Sequence, residues 1–237
     1  GALALHSQGE TAGIVLSSGG GLTEVIPVLD GCTLQYAVTT LKVAGRHITR
    51  HLGDLLQSEG GCDMTSPTKL GVVKDIKETM AYVCMDYERE LKRVKESAPL
   101  QYTLPDGASL TVGHQTLIRC TEQLFQPDPG IVGDKQVGLH DMIQETLKRC
   151  NPTVLAGIRK SILLAGGNTQ LRGFGDRLQM ELVSAHLPWS VSMPQERTHS
   201  VWVGGSVVAA HGDFARRCVT AGEYAERGVP NVHARCF

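Results

Sequence analysis

This sequence lacks both a long apolar run and an excess of either charge. Its longest apolar runs have the length of a strand, so no transmembrane helix is predicted, and the opening GALALHSQGE shows no signal peptide. The 23 Lys and Arg residues nearly balance the 24 Asp and Glu residues, which leaves a formal net charge of -1. A nucleic-acid-binding surface needs a basic excess. We therefore expect direct contact neither with nucleic acid nor with a membrane.

Cysteines at metal-binding spacing are also missing. The chain has seven cysteines, an odd number, and no two of them are separated by only two residues. This spacing favours neither a zinc knuckle nor a disulfide framework, so we expect reduced thiols and a cytoplasmic or nuclear location. His47 and His51 stand at the helical spacing that suits two ligands of one metal, but no HExxH pattern supports them and Arg46 and Arg50 lie alongside. The sequence therefore predicts no metal site.

The chain also lacks a GxSxG elbow, a Walker lysine loop and a local cysteine-nucleophile signature. It does have the composition of a folded domain, with 41% hydrophobic and 20% charged residues. Hydrophobic spacing and turn signals predict strands interleaved with helices, and hence an α/β fold. The predicted elements are a hairpin over 12–29, a helical stretch from about 36 to 58 split by Gly45, a helix over 69–95, a hairpin over 102–112, a loop over 126–138, a helix over 139–150, a buried strand over 161–165, a helix over 173–186 and a helix over 206–210.

Two glycine clusters follow predicted strands. Residues 17–21 read SSGGG, and the backbone N–H groups of such a turn can converge on an anion such as phosphate. Gly166 and Gly167 end a buried strand, which is where α/β folds open a ligand crevice. Each cluster alone is also compatible with a plain turn that binds nothing, which a bare glycine run favours. Lys77 and Glu78, on the helix predicted over 69–95, would by themselves be surface charges.

Taken in order along the chain, several stretches resemble actin and the actin-related proteins. They are TAGIVLSSGGGLTEVIPVLDG, LKVAGRHITRHL, VVKDIKETMAYV, YTLPDG, EQLFQP, ILLAGGNTQLRGFGDRL, PQERTHSVWVGGS and HARCF. The resemblance implies the second half of the actin/Hsp70/sugar-kinase fold, a ribonuclease H-like mixed sheet flanked by helices with an inserted, mostly helical subdomain. In that fold two similar halves clasp ATP and a divalent metal. GFGDRL and PQERTHSVWVGGS are more similar to centractin, of the dynactin complex, than to muscle actin.

The resemblance also implies a division of the chain. Residues 1–43 and 132–199 would form the ribonuclease H-like core that corresponds to subdomain 3 of actin. Residues 44–131 would form the inserted region like subdomain 4, and 200–237 the closing segment of subdomain 1. The family's first phosphate loop, DNase-loop subdomain and hinge glutamine would precede residue 1. We therefore expect a processed or truncated chain with an exposed apolar surface, which would dimerise, aggregate or need a partner.

The family's second phosphate loop, Asp-Ser-Gly-Asp-Gly, is matched here by Ser17, Ser18, Gly19, Gly20 and Gly21. Both aspartates are replaced, the first by Ser17 and the second by Gly20. The first aspartate organises the metal and its waters in the family, and a serine does not supply that charge. The resemblance therefore implies a phosphate cradle that keeps its backbone N–H groups and has lost its hydrolytic chemistry.

The rest of the nucleotide cleft matches the family in part. The positions that keep the family's residues are Gly45 at the cleft, Lys77 and Glu78 beside the adenosine, and Gly166 and Gly167 at the base. The positions that differ are Glu24 in place of an active-site histidine, Leu171 in place of a tyrosine after Thr169 and Gln170, and Thr198 in place of a lysine near the adenine.

These matches favour a structural protein over an enzyme. We expect a divergent actin-like filament subunit or scaffold in the cytoplasmic cytoskeleton, with its partner surface around residues 201–214. Its partners would be other actin-like subunits, actin-binding proteins or a complex of the dynactin type. Two alternatives stay open: an ATPase whose N-terminal half precedes this chain, and a nuclear subunit of a chromatin-remodelling complex. ATP or ADP with Mg²⁺ is the implied cofactor, and the missing aspartates count against it and against hydrolysis.

Overall fold

The computed structural model describes residues 1–60, 63–128 and 137–235. The loop predicted over 126–138 falls largely outside these residues, and so does the domain boundary predicted between 131 and 132. Nowhere in the described ranges does a helix combine the length and the apolar character needed to cross a bilayer.

The central feature of the fold is a mixed sheet of six strands. In chain order the strands of the molecule are β1 (Gly13–Ser18), β2 (Thr23–Leu29), β3 (Cys32–Thr33), β4 (Thr39–Leu41), β5 (Leu100–Thr103), β6 (Ser109–Val112), β7 (Ser161–Ala165) and β8 (Ser190–Ser192). The sheet order is β3-β2-β1-β7-β8, with β4 also paired to β2. β1 runs antiparallel to β2 and parallel to β7. β5 and β6 form a separate antiparallel hairpin. Both predicted hairpins are confirmed.

Strands β1 and β7 are buried on both faces. Ile14 and Leu16 of β1 lie in the larger core cluster together with Ile162 of β7. Val15 points to the opposite face, into a smaller cluster with Leu163. Because successive side chains of a strand point to opposite faces, burial on both sides needs the uninterrupted apolar runs that the sequence has here. The buried strand predicted over 161–165 is confirmed.

Helices cover the sheet and form the region between β4 and β7. They are α1 (Ala2–His6), α2 (Gly45–Gly60), α3 (Leu70–Met80), α4 (Tyr87–Val94), α5 (His114–Glu122), α6 (Leu139–Arg149), α7 (Pro152–Gly157), α8 (Phe174–Ser184), α9 (Ser200–Ala209), α10 (Phe214–Arg217), α11 (Ala221–Arg227) and α12 (Val229–Arg235), with short 3₁₀ turns at Gln35–Ala37 and Gly167–Gln170. The helices predicted over 139–150 and 173–186 are confirmed with small changes at their ends.

Gly45 begins a helix and does not split one, so the prediction of two helices over 36–58 was wrong. The residues before it form a 3₁₀ turn and strand β4, which pairs with β2. The N–H of Gly45 donates to the carbonyl of Gly19 (2.9 Å), so the start of α2 is fixed by the loop after β1. An ideal Cβ at Gly45 would lie 2.9 Å from Oδ1 of Asn168. The absence of a side chain at Gly45 therefore lets the start of α2 lie close to the loop after β1 and to Asn168.

The single helix predicted over 69–95 was also wrong, because it is interrupted after Met80. Tyr82 pairs with Arg172 in an isolated β-bridge, and the N–H of Val83 donates to the carbonyl of Arg172 at 2.8 Å. The helix then restarts as α4, with the Asp86 side chain accepting from the N–H of Arg89 as an N-cap. Pairing with a distant segment thus overrides the helical spacing. The helix predicted over 206–210 likewise begins earlier, at Ser200.

Candidate functional site

The glycine loop after β1 is attached to the start of helix α2 through its carbonyl groups. The N–H groups of Gly45 and Arg46 donate to the carbonyls of Gly19 (2.9 Å) and Gly20 (2.8 Å). Within the loop, the N–H of Gly19 donates to the carbonyl of Leu22 at 3.1 Å. Across the described residues, no hydrogen bond occupies the N–H groups of Gly20 and Gly21, which are exposed. The loop therefore has free backbone donors of the kind that bind anions.

A buried asparagine ties this loop to the turn after β7. Nδ2 of Asn168 donates to Oγ of Ser18 (3.1 Å) and to the carbonyl of Gly19 (2.7 Å). The Ser18 hydroxyl also shares a 2.9 Å hydrogen bond with the hydroxyl of Thr23. Gly166 stands beneath this contact with φ at +90°, and a Cβ there would lie 2.4 Å from the carbonyl oxygen of Ser18. Both glycine clusters of the sequence thus meet at one place.

A cavity of about 540 Å³ opens where these segments meet helix α3. The loop after β1, the first turns of α2, the inner side of α3 and the turn after β7 contribute its walls. The lining residues are Gly19, Gly20, Gly45, Arg46, Thr49, Arg50, Leu70, Gly71, Lys74, Lys77, Glu78, Gly167 and Asn168.

Lys77 is the buried cation of the cavity. Its side chain is 5% exposed, and Nζ donates to the carbonyl of Gly45 at 3.4 Å. Burial lowers the pKa of the Lys77 ammonium, an effect that the nearby Glu78 carboxylate partly opposes. The Oε1 atom of Glu78 lies 3.9 Å from Nζ of Lys77 and 3.9 Å from Nζ of Lys74. One carboxylate thus stands between two ammonium groups.

Arg46 and Arg50 add two further positive charges to the same cavity. They lie one helical turn apart on α2, and both are exposed. In the described part of the chain, no carboxylate lies within ion-pair distance of either guanidinium. The lining therefore holds four cationic side chains and one carboxylate, Glu78. Its electrostatic character suits an anionic ligand.

Most of the sequence-predicted site residues meet here, but not all. Gly19, Gly20, Gly45, Lys77, Glu78 and Gly167 line the cavity. Ser17, Ser18, Gly21 and Gly166 lie behind or beside the lining. Leu171 is 7% exposed and packs in the main hydrophobic core, so it forms no wall of the cavity. Thr198 accepts a hydrogen bond from Gln170 at 3.2 Å.

Sequence reasoning missed the other lining residues, above all Arg50 and Asn168. Arg50 follows Arg46 at the spacing that places two side chains on one helix face, and this was the available signal. Asn168 had no signal of its own, because its partners are about 150 positions away in the sequence.

The residues present do not fit a magnesium ion. Mg²⁺ prefers carboxylates and water as ligands, and the loop offers Ser17 and Gly20 where carboxylates are needed. The one carboxylate of the cavity, Glu78, already lies near two ammonium groups. Over the described ranges, no three residues of the His, Cys, Asp and Glu types gather in a way that could hold a metal ion.

Comparison with protein families agrees with this architecture. The family model described as Actin matches residues 1–237. The mixed sheet flanked by helices, with a cavity between the glycine loop after β1 and the turn after β7, is consistent with that match. The chain therefore belongs to the actin family.

Proposed function

We propose that this chain is a structural member of the actin family, a filament subunit or scaffold of the cytoplasmic cytoskeleton whose nucleotide cleft does not hydrolyse ATP. The observation that carries the proposal is the loop after β1, which has the form of a phosphate cradle and presents no carboxylate at Ser17 or Gly20. Hydrolysis of a phosphoanhydride needs a water that is oriented and activated, normally through a metal ion. Ser17 and Gly20 have no carboxylate with which to hold the metal ion or the water.

A single-turnover assay with Mg²⁺ and ATP tests the absence of hydrolysis. We expect the unmodified chain to release phosphate no faster than a protein-free blank. A Ser17→Asp, Gly20→Asp variant provides the comparison, and a Cβ at Gly20 meets nothing within 4 Å, so the second change fits the loop. Hydrolysis by the unmodified chain that is lost on Lys77→Met would contradict the proposal, because it would show a working active site.

The surface proposed for partner binding is the outer face of α9. One side of this helix packs on α1, where an ideal Cβ at Gly204 would overlap the carbonyl oxygen of Leu3. Trp202, on the side of the helix opposite Gly204, is 75% exposed, and Val201 and Val207, which flank the Gly204 contact, are 48% and 42% exposed. Tryptophan is enriched among the residues that dominate protein interfaces, so the exposed Trp202 is the centre of the proposed contact. An actin-like subunit or an actin-binding protein is the partner that the family membership supports.

Co-sedimentation with actin filaments tests this surface. We expect Trp202→Ser to weaken association by about tenfold or more, as loss of a central aromatic contact does. Tyr36→Ser is the matched control, since Tyr36 is 60% exposed and lies away from α9. Equal binding by all three proteins, or no association of the unmodified chain, would overturn the proposed contact.

A further inference from the structure

We infer that the cavity binds the phosphate groups of a nucleotide directly on side-chain cations and backbone N–H groups, with no divalent metal between ligand and protein. The inference rests on the proposed function, since it concerns the same cleft. It goes further in naming the ligand as the metal-free polyanion.

The charge of the lining is the first argument. Arg46, Arg50, Lys74 and Lys77 carry four positive charges and Glu78 one negative charge, which leaves an excess of three (4 − 1). A magnesium ion bound to the phosphates would bring further positive charge into this set, and no carboxylate at Ser17 or Gly20 would offset it. The lining therefore favours a ligand that keeps its full negative charge.

The chemical type of the cations is the second argument. A guanidinium group offers a planar fork of N–H donors that matches the oxygens of a phosphate. Arg46 and Arg50 are exposed on one face of α2 and have no carboxylate partner in the described ranges. They can reach a ligand without first breaking an ion pair.

The third argument comes from the base of the cavity. Lys77 is buried and reaches only a backbone carbonyl at 3.4 Å and the shared carboxylate of Glu78 at 3.9 Å. The resemblance places Lys77 beside the adenosine, so its ammonium attracts a polyanion through the electrostatic field of the cavity and need not contact a phosphate oxygen. Gly20 and Gly21 are exposed and their N–H groups have no hydrogen-bond partner among the described residues, while the carbonyls of Gly19 and Gly20 accept from the start of α2 and keep the loop in place.

Calorimetric titration of ATP into the chain, once with EDTA and once with excess Mg²⁺, tests the inference. We expect binding in EDTA that is as tight as in Mg²⁺ or severalfold tighter, and that weakens as salt is raised. Binding that is tenfold or more tighter in Mg²⁺ would overturn it. Absence of binding in both buffers would overturn it as well, but would leave the proposed function intact, which fails only if phosphate is released.

Two variants identify the groups responsible. Arg50→Glu should weaken binding in EDTA by about tenfold or more, as loss of a charge-assisted contact does. Arg89→Glu makes the same charge change at an exposed position of α4, outside the cavity, and should leave the affinity within about twofold. An equal loss of affinity in both variants would show that the overall charge of the protein attracts ATP, and not a site at Arg50, and would overturn the inference. Melting temperatures of both proteins control for folding, and inorganic triphosphate in place of ATP shows whether the phosphates alone suffice.

Ser17→Asp, Gly20→Asp provides the reverse test. Two carboxylates at the loop should repel the free polyanion and offer ligands to Mg²⁺. We expect this variant to bind ATP more tightly in Mg²⁺ than in EDTA, the opposite of the unmodified chain. An unchanged preference would contradict the inference.

Discussion

The two glycines that follow β7 differ in whether the structure has room for a side chain. Gly166 has φ at +90° and no room for a Cβ beside the backbone of Ser18, whereas a Cβ at Gly167 meets nothing within 4 Å. We expect Gly166→Ala to lower the free energy of unfolding by about 2–4 kcal/mol, the sum of left-handed strain and overpacking. Gly167→Ala should change it by less than about 1 kcal/mol. Urea unfolding of both variants checks this, and equal losses would contradict the assignment of the clash.

For single residues, the sequence predicts which positions lie near the cavity better than it predicts what each residue does there. The position of Gly166 and Gly167 after an apolar run predicts that they lie at a ligand crevice, and Gly167 lines the cavity. Nothing local distinguishes the two glycines, because the oxygen that excludes a side chain at Gly166 belongs to Ser18, far away along the chain. The same reason hid Asn168. Leu171 was carried over as a site position only because it matches a tyrosine of the family, and it packs in the core.

The contact between α1 and α9 depends on one small residue. An ideal Cβ at Gly204 would overlap the carbonyl of Leu3, while a Cβ at the next position, Gly205, meets nothing within 4 Å. We expect Gly204→Ala to separate the two helices and lower the stability by about 1–3 kcal/mol, as overpacking does. Gly205→Ala should leave the stability unchanged or slightly higher, since alanine favours helix.

Hydrogen exchange of α1 amides distinguishes this local effect from general destabilisation. In Gly204→Ala the N–H of Leu5, which donates to the carbonyl of Gly1 at 3.2 Å, should exchange faster than amides of β1. Uniform acceleration across the chain would argue that α9 does not anchor α1.

Elements were predictable where their signal is local. The hairpins follow from turn residues between apolar runs, and β7 from its apolar run of strand length. The errors arose at Gly45 and after Met80, where a distant partner decides the structure. The carbonyl of Gly19 fixes the first position, and pairing with Arg172 interrupts the helix at the second. Side-chain spacing within the helix carries no information about either partner.

Two buried thiols lead us to expect that the whole molecule loses stability in alkaline solution. Burial raises the pKa of Cys120 to about 12 and that of Cys84 to about 11, from 9.0. Because the folded state raises the pKa of these thiols, their contribution to the free energy of unfolding is complete below pH 9.0. It is lost as the pH rises above 9.0, because the thiols then ionise in the unfolded chain and stay protonated in the folded chain. The free energy of unfolding should therefore fall between about pH 8 and about pH 10.

Cys120→Ala separates this effect from other titrations. The variant should lose about 1 kcal/mol less than the unmodified chain over that pH range, since each pH unit above 9 counts for roughly that amount per thiol. Cys32→Ala is the control, because Cys32 is an exposed free thiol. Denaturant unfolding at both pH values gives the comparison, and parallel losses in all three proteins would contradict the prediction.

The central sheet also bears on how copies of this protein meet. Its outer strands are short: Cys32–Thr33 has two residues, and Thr39–Leu41 and Ser190–Ser192 have three each. A strand at the rim of a sheet offers unpaired backbone groups to any neighbouring chain, and brevity is one way in which natural proteins limit such cross-β pairing. The protein therefore has little template for amyloid-like growth through its sheet. For the filament that we propose, contacts between side chains of the helices are therefore the route that this sheet favours.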